Sequence, residues 1–240
     1  MARRRFFVDA FAAGHAVLEG EDALHLTRVL RAQPGQQFEL SDNRSVQLAE
    51  VVEVHQRRVG FRLIEPVPAA PPPTFRVTLV AALTKFERFE WMIEKATELG
   101  VETILPVQSE RTEKGLLRGA DRRVERWRRI ARESSQQSRR DTLPVILDPA
   151  PLDASMAADC RWRLLLDERR TAEPLASVVH PSMGGETAAI LVGPEGGWTD
   201  GECESLAAAW RPVSMGSRIL RAETAAIAAL AVLMNLITAG

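Results

Sequence analysis

Two cysteines, Cys160 and Cys203, are all that a chain of 240 residues carries, and they form no CxxC pattern. A disulfide framework and a thiolate metal site are therefore not expected, and a reducing cytoplasm fits. Histidine is equally sparse. His15, His25, His55 and His180 lie far apart and form no His/Cys/Asp cluster with ligand spacing, so no metal is expected. Lysine is nearly absent: Lys85, Lys95 and Lys114 are three of the 31 basic residues, and the other 28 are arginine. The start shows no basic stretch followed by an apolar run and a cleavage site, which argues against a secretory signal. The longest apolar tract, Thr224 to Ala239, is short for a bilayer and contains Asn235, so it reads as a buried helix. No membrane partner is expected. Internal repeats and low-complexity tracts are missing, apart from one proline stretch.

What is present is ordinary in bulk and uneven in detail. Apolar residues make up 45% and charged residues 26%, the balance of a globular chain of one large or two modest domains. Net charge is −1, yet residues 111–140 alone carry eleven basic and four acidic side chains. Arginine suits bidentate phosphate contacts, and a GC-rich genome gives the same bias. Codon usage accounts less well for the clustering.

The clearest boundary is "EPVPAAPPPTF", Glu65 to Phe75, an extended proline spacer. It divides residues 1–70 from 74–240. The first part has strand-like runs at Arg5–Val8, Gln37–Leu40, Ser45–Val54 and Val59–Ile64, with one helix near Asp22–Leu30. This predicts a small β-rich domain, a barrel. Beyond the spacer, strands alternate with helices, which predicts an α/β domain with a mostly parallel sheet. Its strands are 75–83, 101–107, "PVILD", "RWRLLLD", "AAILVG" and "PVSMG". Its helices begin after Thr84, span Asp121–Gln137 and Ala222–Ala239. Thr84 with Glu87 matches a capping box, as does Thr199 with Glu202. Gly100 supplies a C-terminal stop.

Two glycine turns carry the chemistry. "AAILVGPEGGWTDGE", 188–202, is an apolar strand that stops at Gly193 and leads through more glycines into a helix. Such a turn brings backbone N–H groups close to a ligand, and it also serves as a plain connection. It is neither GxxxxGK[ST] nor GxGxxG, and no lysine is at hand for a triphosphate. "PVSMGSRILRAETAA", 212–226, is a second such strand end, followed by Arg218, Arg221 and Glu223 before an apolar helix. Two turns in one sheet would form opposite walls of one pocket.

"LVGPEGGWTDGE" and "MGSRILRAETAAIAAL" resemble the paired signature motifs of the RsmE-type enzymes, the bacterial 16S ribosomal RNA uridine-N3 methyltransferases of the SPOUT superfamily. The likeness runs along nearly the whole chain. "RRFFV" (4–8) and "HLTRVLRAQPGQ" (25–36) resemble the family's N-terminal PUA-like RNA-binding domain. "LTKFERFEWMIEKATELGVETILPVQSERT" (83–112) is similar to its first strand–helix–strand, and "RWRRIARESSQQSRR" (126–140) to its basic helix. Two positions depart: Gln136 stands for an acid and Arg139 for a glycine, which puts the helix-end geometry in question.

The resemblance implies an N-terminal PUA-like barrel and a C-terminal SPOUT α/β domain with a deep trefoil knot within about 188–240. It implies S-adenosylmethionine as methyl donor, 16S ribosomal RNA of the small subunit as partner, a homodimer and a cytoplasmic location. The donor's contacts would come from Leu191, Gly193, Pro194, Glu195, Gly196 and Gly197 on the first motif. On the second they would come from Met215, Gly216, Ile219, Leu220, Arg221, Thr224 and Ala225. Arg221 is the first candidate to stabilise charge on the acceptor uracil. Glu223 accepts the N3 proton, caps the helix or orients Arg221. RNA contacts are expected from Arg4, Arg5, Arg28 and Arg31, and from Arg111, Arg132, Arg139 and Arg140. Transfer to a ribose 2′-OH or another base, and a non-catalytic RNA-binding role, remain the alternatives.

Overall fold

The computed structural model describes residues 4–68, 75–169, 172–183 and 185–238. Residues 69–74 of the proline spacer, with the start of the second domain at Thr74, and Ala239 at the end of the last helix lie outside the described residues. The chain forms two compact units. One comprises residues 1–72 with 132–143, the other 73–131 with 144–240.

The first unit contains β1 (Arg5–Phe7), β2 (Phe11–Ala12), β3 (His15–Glu19), α1 (Gly20–Arg28), β4 (Gln37–Ser41), β5 (Val46–His55) and β6 (Arg58–Pro66). The sheet order is β1-β4-β5-β6-β3-β2. β1 runs parallel to β4, and the other pairs are antiparallel. The result is a half-barrel sheet. Its concave filling is Phe6, Leu18, Leu40, Val51 and Phe61, closed by Ala23 and Leu26 of α1. The hairpin β2–β3 turns on Ala13 and Gly14, both with positive φ (47° and 79°). Two left-handed residues are what a tight two-residue hairpin requires.

Residues 132–143 are bound into this unit by arginines. Arg5 is 5% exposed. Its Nη2 donates to Glu39 at 2.9 Å and its Nη1 to the Arg139 carbonyl at 2.6 Å and to Asp141. Arg139 donates to the other oxygen of Glu39 at 2.6 Å. Burial alone raises the Glu39 carboxyl, but the hydrogen bonds from Arg139 and Arg5 outweigh it and hold it below the usual carboxylate range. The helix before this segment closes with an Arg140 N–H to Ser135 carbonyl bond (3.0 Å), with Arg139 at φ 58°. Arg139 thus takes the left-handed position that a glycine would fill at a helix end.

The second unit contains β7 (Arg76–Ala82), α2 (Phe86–Glu98), β8 (Thr103–Gln108), α3 (Leu116–Ala120), α4 (Val124–Ser138, its end in the first unit), β9 (Val145–Ile146) and β10 (Ala150–Pro151). It continues with β11 (Trp162–Leu166), β12 (Glu173–Pro174), α5 (Leu175–Val178), β13 (Thr187–Val192), α6 (Asp200–Ala207), β14 (Arg211–Ser214) and α7 (Ala222–Thr238). The sheet order is β10-β8-β7-β13-β11-β14-β12, with β9 beside β8, and every pairing is parallel. Alternate residues of its strands face opposite layers, as the pleat requires. Val77, Leu79 and Ala81 join Phe89, Ile93, Trp127, Ala226 and Leu230 of α2, α4 and α7. Val80 and Ala82 join Leu165, Leu191, Leu206 and Trp210 on the α6 side. A parallel sheet buried on both faces explains the near-continuous apolar runs of "LVAAL" and "AAILV".

The expected capping box at Thr84 does not form. The helix starts at Phe86 with Lys85 as N-cap and no side-chain cap bond, so Thr84 stands one residue too early. Its other end follows expectation: Gly100 has φ 95°, and the Gly100 and Val101 N–H groups bond back to Thr97 and Ala96.

Candidate active site

β13, β11 and β14 are neighbours, and their carboxyl ends open into a cleft of about 530 Å³. Open parallel sheets bind ligands at that edge. Two walls are the expected glycine turns. Gly193, Pro194, Glu195 and Gly197 line one side, and Met215, Gly216, Arg218, Ile219, Leu220, Arg221 and Ala225 the other. A third wall, Leu166 to Arg169 at the end of β11, is one that the sequence reading missed. The strand had been recognised, but nothing in "LLLDERR" marks its end as a site.

Each turn is held locally. Thr199 and Glu202 form the expected capping box, with Thr199 accepting from the Glu202 N–H at 3.2 Å and Glu202 accepting from the Thr199 N–H at 2.9 Å. This starts α6 just past the glycines. Glu202 also accepts from the Glu110 N–H at 2.8 Å. Gly193 has no room for a side chain: a Cβ would lie 2.9 Å from Cε2 of Trp198. The Trp198 indole lines the cleft and donates to the Leu166 carbonyl at 3.3 Å, which ties the first wall to the third. Asp167 is buried and bound to Arg169 Nε at 2.6 Å.

Arginine 88 of α2 was also missed. It lines the cleft, pairs with Glu195, and has its Nε 4.0 Å from Glu223 Oε1. Glu223 itself is 9% exposed, does not line the cleft among the described residues, and leaves Oε2 buried without a hydrogen-bond partner there. Leu191 is buried in β13, and Gly196 and Thr224 lie off the cleft lining. Arg218 and Arg221 are exposed, and among the described residues their guanidinium groups have no partner.

The arginines expected on RNA divide. Arg4, Arg28 and Arg31 are exposed. Arg5 is a correction: it is buried between Glu39 and Asp141, with its charge spent inside the first unit. Arg132 donates to Asp22 at 2.6 Å and stacks over Phe7 at 5.8 Å, Arg139 holds Glu39, and Arg140 Nε donates to the Thr142 carbonyl at 3.1 Å. Arg111 Nη1 donates to the Gly196 carbonyl at 2.8 Å, which sets it on the glycine turn. Among the described residues no group of three or more His, Cys, Asp or Glu side chains could hold a metal ion, and no helix is long and apolar enough to cross a membrane.

Comparison places this chain, a parallel sheet with two glycine turns at its carboxyl edge and a small half-barrel unit, in a class of RNA-modifying enzymes. Residues 70–234 match the RNA methyltransferase domain family, and residues 18–54 the RNA methyltransferase PUA domain. The chain is 35% identical to ribosomal RNA small subunit methyltransferase E of Synechocystis, over 86% of this chain and 68% of that protein. It is 33% identical to the protein of the same name from Mycobacterium bovis, over 96% and 90%. The solved Neisseria gonorrhoeae methyltransferase E, bound to S-adenosyl methionine, superposes with a TM-score of 0.86 at 28% identity, covering 98% of both chains. The chain belongs to the ribosomal RNA small subunit methyltransferase E family.

Proposed function

We propose that this protein transfers a methyl group from S-adenosylmethionine to N3 of a uridine in 16S ribosomal RNA. The observation that carries the reading is the convergence of the Gly193–Gly197 and Met215–Arg221 turns on one cleft, in a chain of this family. The cleft fits a nucleoside-type donor. It has the size of a small-molecule site. Gly197 and Gly216, with φ 70° and 106°, turn backbone toward it without side chains in the way. Backbone N–H and C=O groups of 193–197 and 215–220 would hold the adenine and ribose, with Leu220 and Ile219 as apolar contacts. When bound, the donor supplies a sulfonium methyl that is already electrophilic.

The protein's task is then positioning and charge stabilisation. Uridine N3 must lose its proton as it attacks, and negative charge spreads to the flanking carbonyl oxygens. Arg221, unpaired on the cleft wall, is placed to meet that charge. The proton passes to solvent at the exposed side. Glu223, buried and within 4.0 Å of Arg88, serves as a support and not as the base. Arg4, Arg28 and Arg31 supply phosphate contacts from the small unit.

The finer fold belongs to the same proposal. A trefoil knot lies within about 188–240, a reading supported by α7, which follows β14 in the chain and packs on α2, β13 and β7 with 175–183 against it. The half-barrel closes as a PUA-like barrel. A second copy packs on the exposed Trp91 and Leu236 of α2 and α7, giving a homodimer. The location is cytoplasmic. Calorimetric titration with S-adenosylmethionine, followed by methyl transfer to undermethylated small subunits, tests the reading. Micromolar-range binding and transfer that Arg221→Ala abolishes while binding persists support it. Failure of the wild type to bind donor favours a non-catalytic RNA-binding role.

A further inference from the structure

Each glycine turn has an acid in it or just after it, and both acids lie within ion-pair distance of the same guanidinium. Glu195 sits within the first turn and Glu223 opens the helix that follows the second. Arg88, from α2, pairs with Glu195 and keeps its Nε 4.0 Å from Glu223 Oε1. The Arg88 side chain is 33% exposed and the Glu223 side chain 11%, so the second contact is largely shielded from solvent. Arg111 adds a second hold on the first turn through the Gly196 carbonyl at 2.8 Å. α2 is otherwise anchored in the core by Phe89, Met92, Ile93 and Ala96, so Arg88 projects from a fixed body.

We infer that Arg88 is a positioning residue that sets the spacing of the two donor turns, forking from α2 to one carboxylate on each. This rests on the reading of the cleft as the methyl-donor site. The planar guanidinium matters because its separate N–H groups reach two carboxylates at once, which a lysine ammonium does less well. Glycine turns have little intrinsic order. Without Arg88 the ordering cost falls on donor binding, while the bound complex, once formed, keeps its geometry. The signature is therefore a change in donor Kd and KM with little change in kcat.

The experiment compares wild type, Arg88→Ala, Arg88→Lys, Glu195→Gln and Arg88→Ala/Glu195→Gln. Donor Kd is read by calorimetry with S-adenosylmethionine, steady-state kinetics with small subunits, and backbone hydrogen exchange over 190–200 and 214–222 without donor. Arg88→Ala is expected to raise donor Kd and KM about tenfold with kcat changed less than about threefold, and to speed exchange in both turns. Arg88→Lys falls between, and Arg88→Ala costs less in the Glu195→Gln background than in wild type. If the alanine variant does not fold, the lysine and glutamine variants give the same readings. Unchanged donor affinity and exchange in a folded Arg88 variant, or full additivity with Glu195→Gln, overturns the inference. A wild type that binds no donor defeats the functional reading, while the exchange difference still decides whether Arg88 holds the turns.

Discussion

Gly193→Ala gives a quantitative test of how the cleft is built. Gly193 is not among the residues with positive φ, so alanine meets no left-handed backbone penalty and gains about 0.4–1 kcal/mol through the unfolded chain, against which the contact cost is set. The new Cβ would lie 2.9 Å from Cε2, 3.1 Å from Nε1 and 3.2 Å from Cζ2 of Trp198. Carbon contacts are comfortable near ~3.5–4.0 Å, so the indole must retreat by roughly half an ångström or more. It cannot do so freely, because Nε1–H already reaches 3.3 Å to the Leu166 carbonyl. Losing that bond costs roughly 0.5–1.5 kcal/mol. Overpacking a well-filled site adds about 1–3 kcal/mol. The sum is about 1.5–4.5 kcal/mol, or roughly 1–4 kcal/mol net of the unfolded-chain gain, read as a shift of the urea midpoint with m unchanged. Donor affinity should fall with it, since Gly193 and Trp198 both line the cleft. Trp198→Ala removes the crowding ring, so in that background the alanine should cost under about 1 kcal/mol. A Gly193→Ala protein within about 0.5 kcal/mol of wild type, or the same cost in both backgrounds, refutes the reasoning.

Three further outcomes follow from the first unit. The Glu39 carboxyl is held low, so its contribution is full above the unfolded value of about 4.3 and fades as pH falls through the folded one; Glu39→Gln should flatten the acid limb of a denaturation series and cost about 3 kcal/mol at neutral pH by uncovering Arg5. Arg139→Gly should change stability by less than ~1 kcal/mol in urea denaturation, because relief of a left-handed arginine of roughly 1–2 kcal/mol is offset by loss of a charged hydrogen bond to buried Glu39 of about 1.5–3. Arg28→Glu with Arg31→Glu should leave folding intact and flatten the salt dependence of RNA binding by about one to two units of log–log slope, measured by fluorescence anisotropy.

The elements were legible where local chemistry decides them. The Thr199–Glu202 box, the Gly100 stop and the apolar runs of β7 and β13 each depend on neighbours a few residues apart. The hairpin β2–β3 was overlooked because its strands are short, although Ala13-Gly14 was the signal available. Thr84–Glu87 has the right spacing but the wrong phase, since Lys85 and not Thr84 precedes the first helical residue. In the site, the glycine turns were readable and their partners were not. Arg88 and Glu195 stand 107 residues apart, and a charge on an amphipathic helix looks the same whether it meets water or a carboxylate. Arg5 shows the reverse error: an arginine read as surface charge is spent inside when Glu39 and Asp141 fold beside it.

The central claim is methyl transfer to uridine N3 by Arg221 and the paired glycine turns. Mass-spectrometric mapping of modified nucleosides in 16S ribosomal RNA tests it most directly. The RNA is taken from cells lacking this protein, then supplied with the wild type or with Arg221→Ala. One 3-methyluridine should vanish in the absence of the protein, return with the wild type and stay missing with Arg221→Ala. A complete set of 3-methyluridines without the protein, or full restoration by Arg221→Ala, would contradict the account.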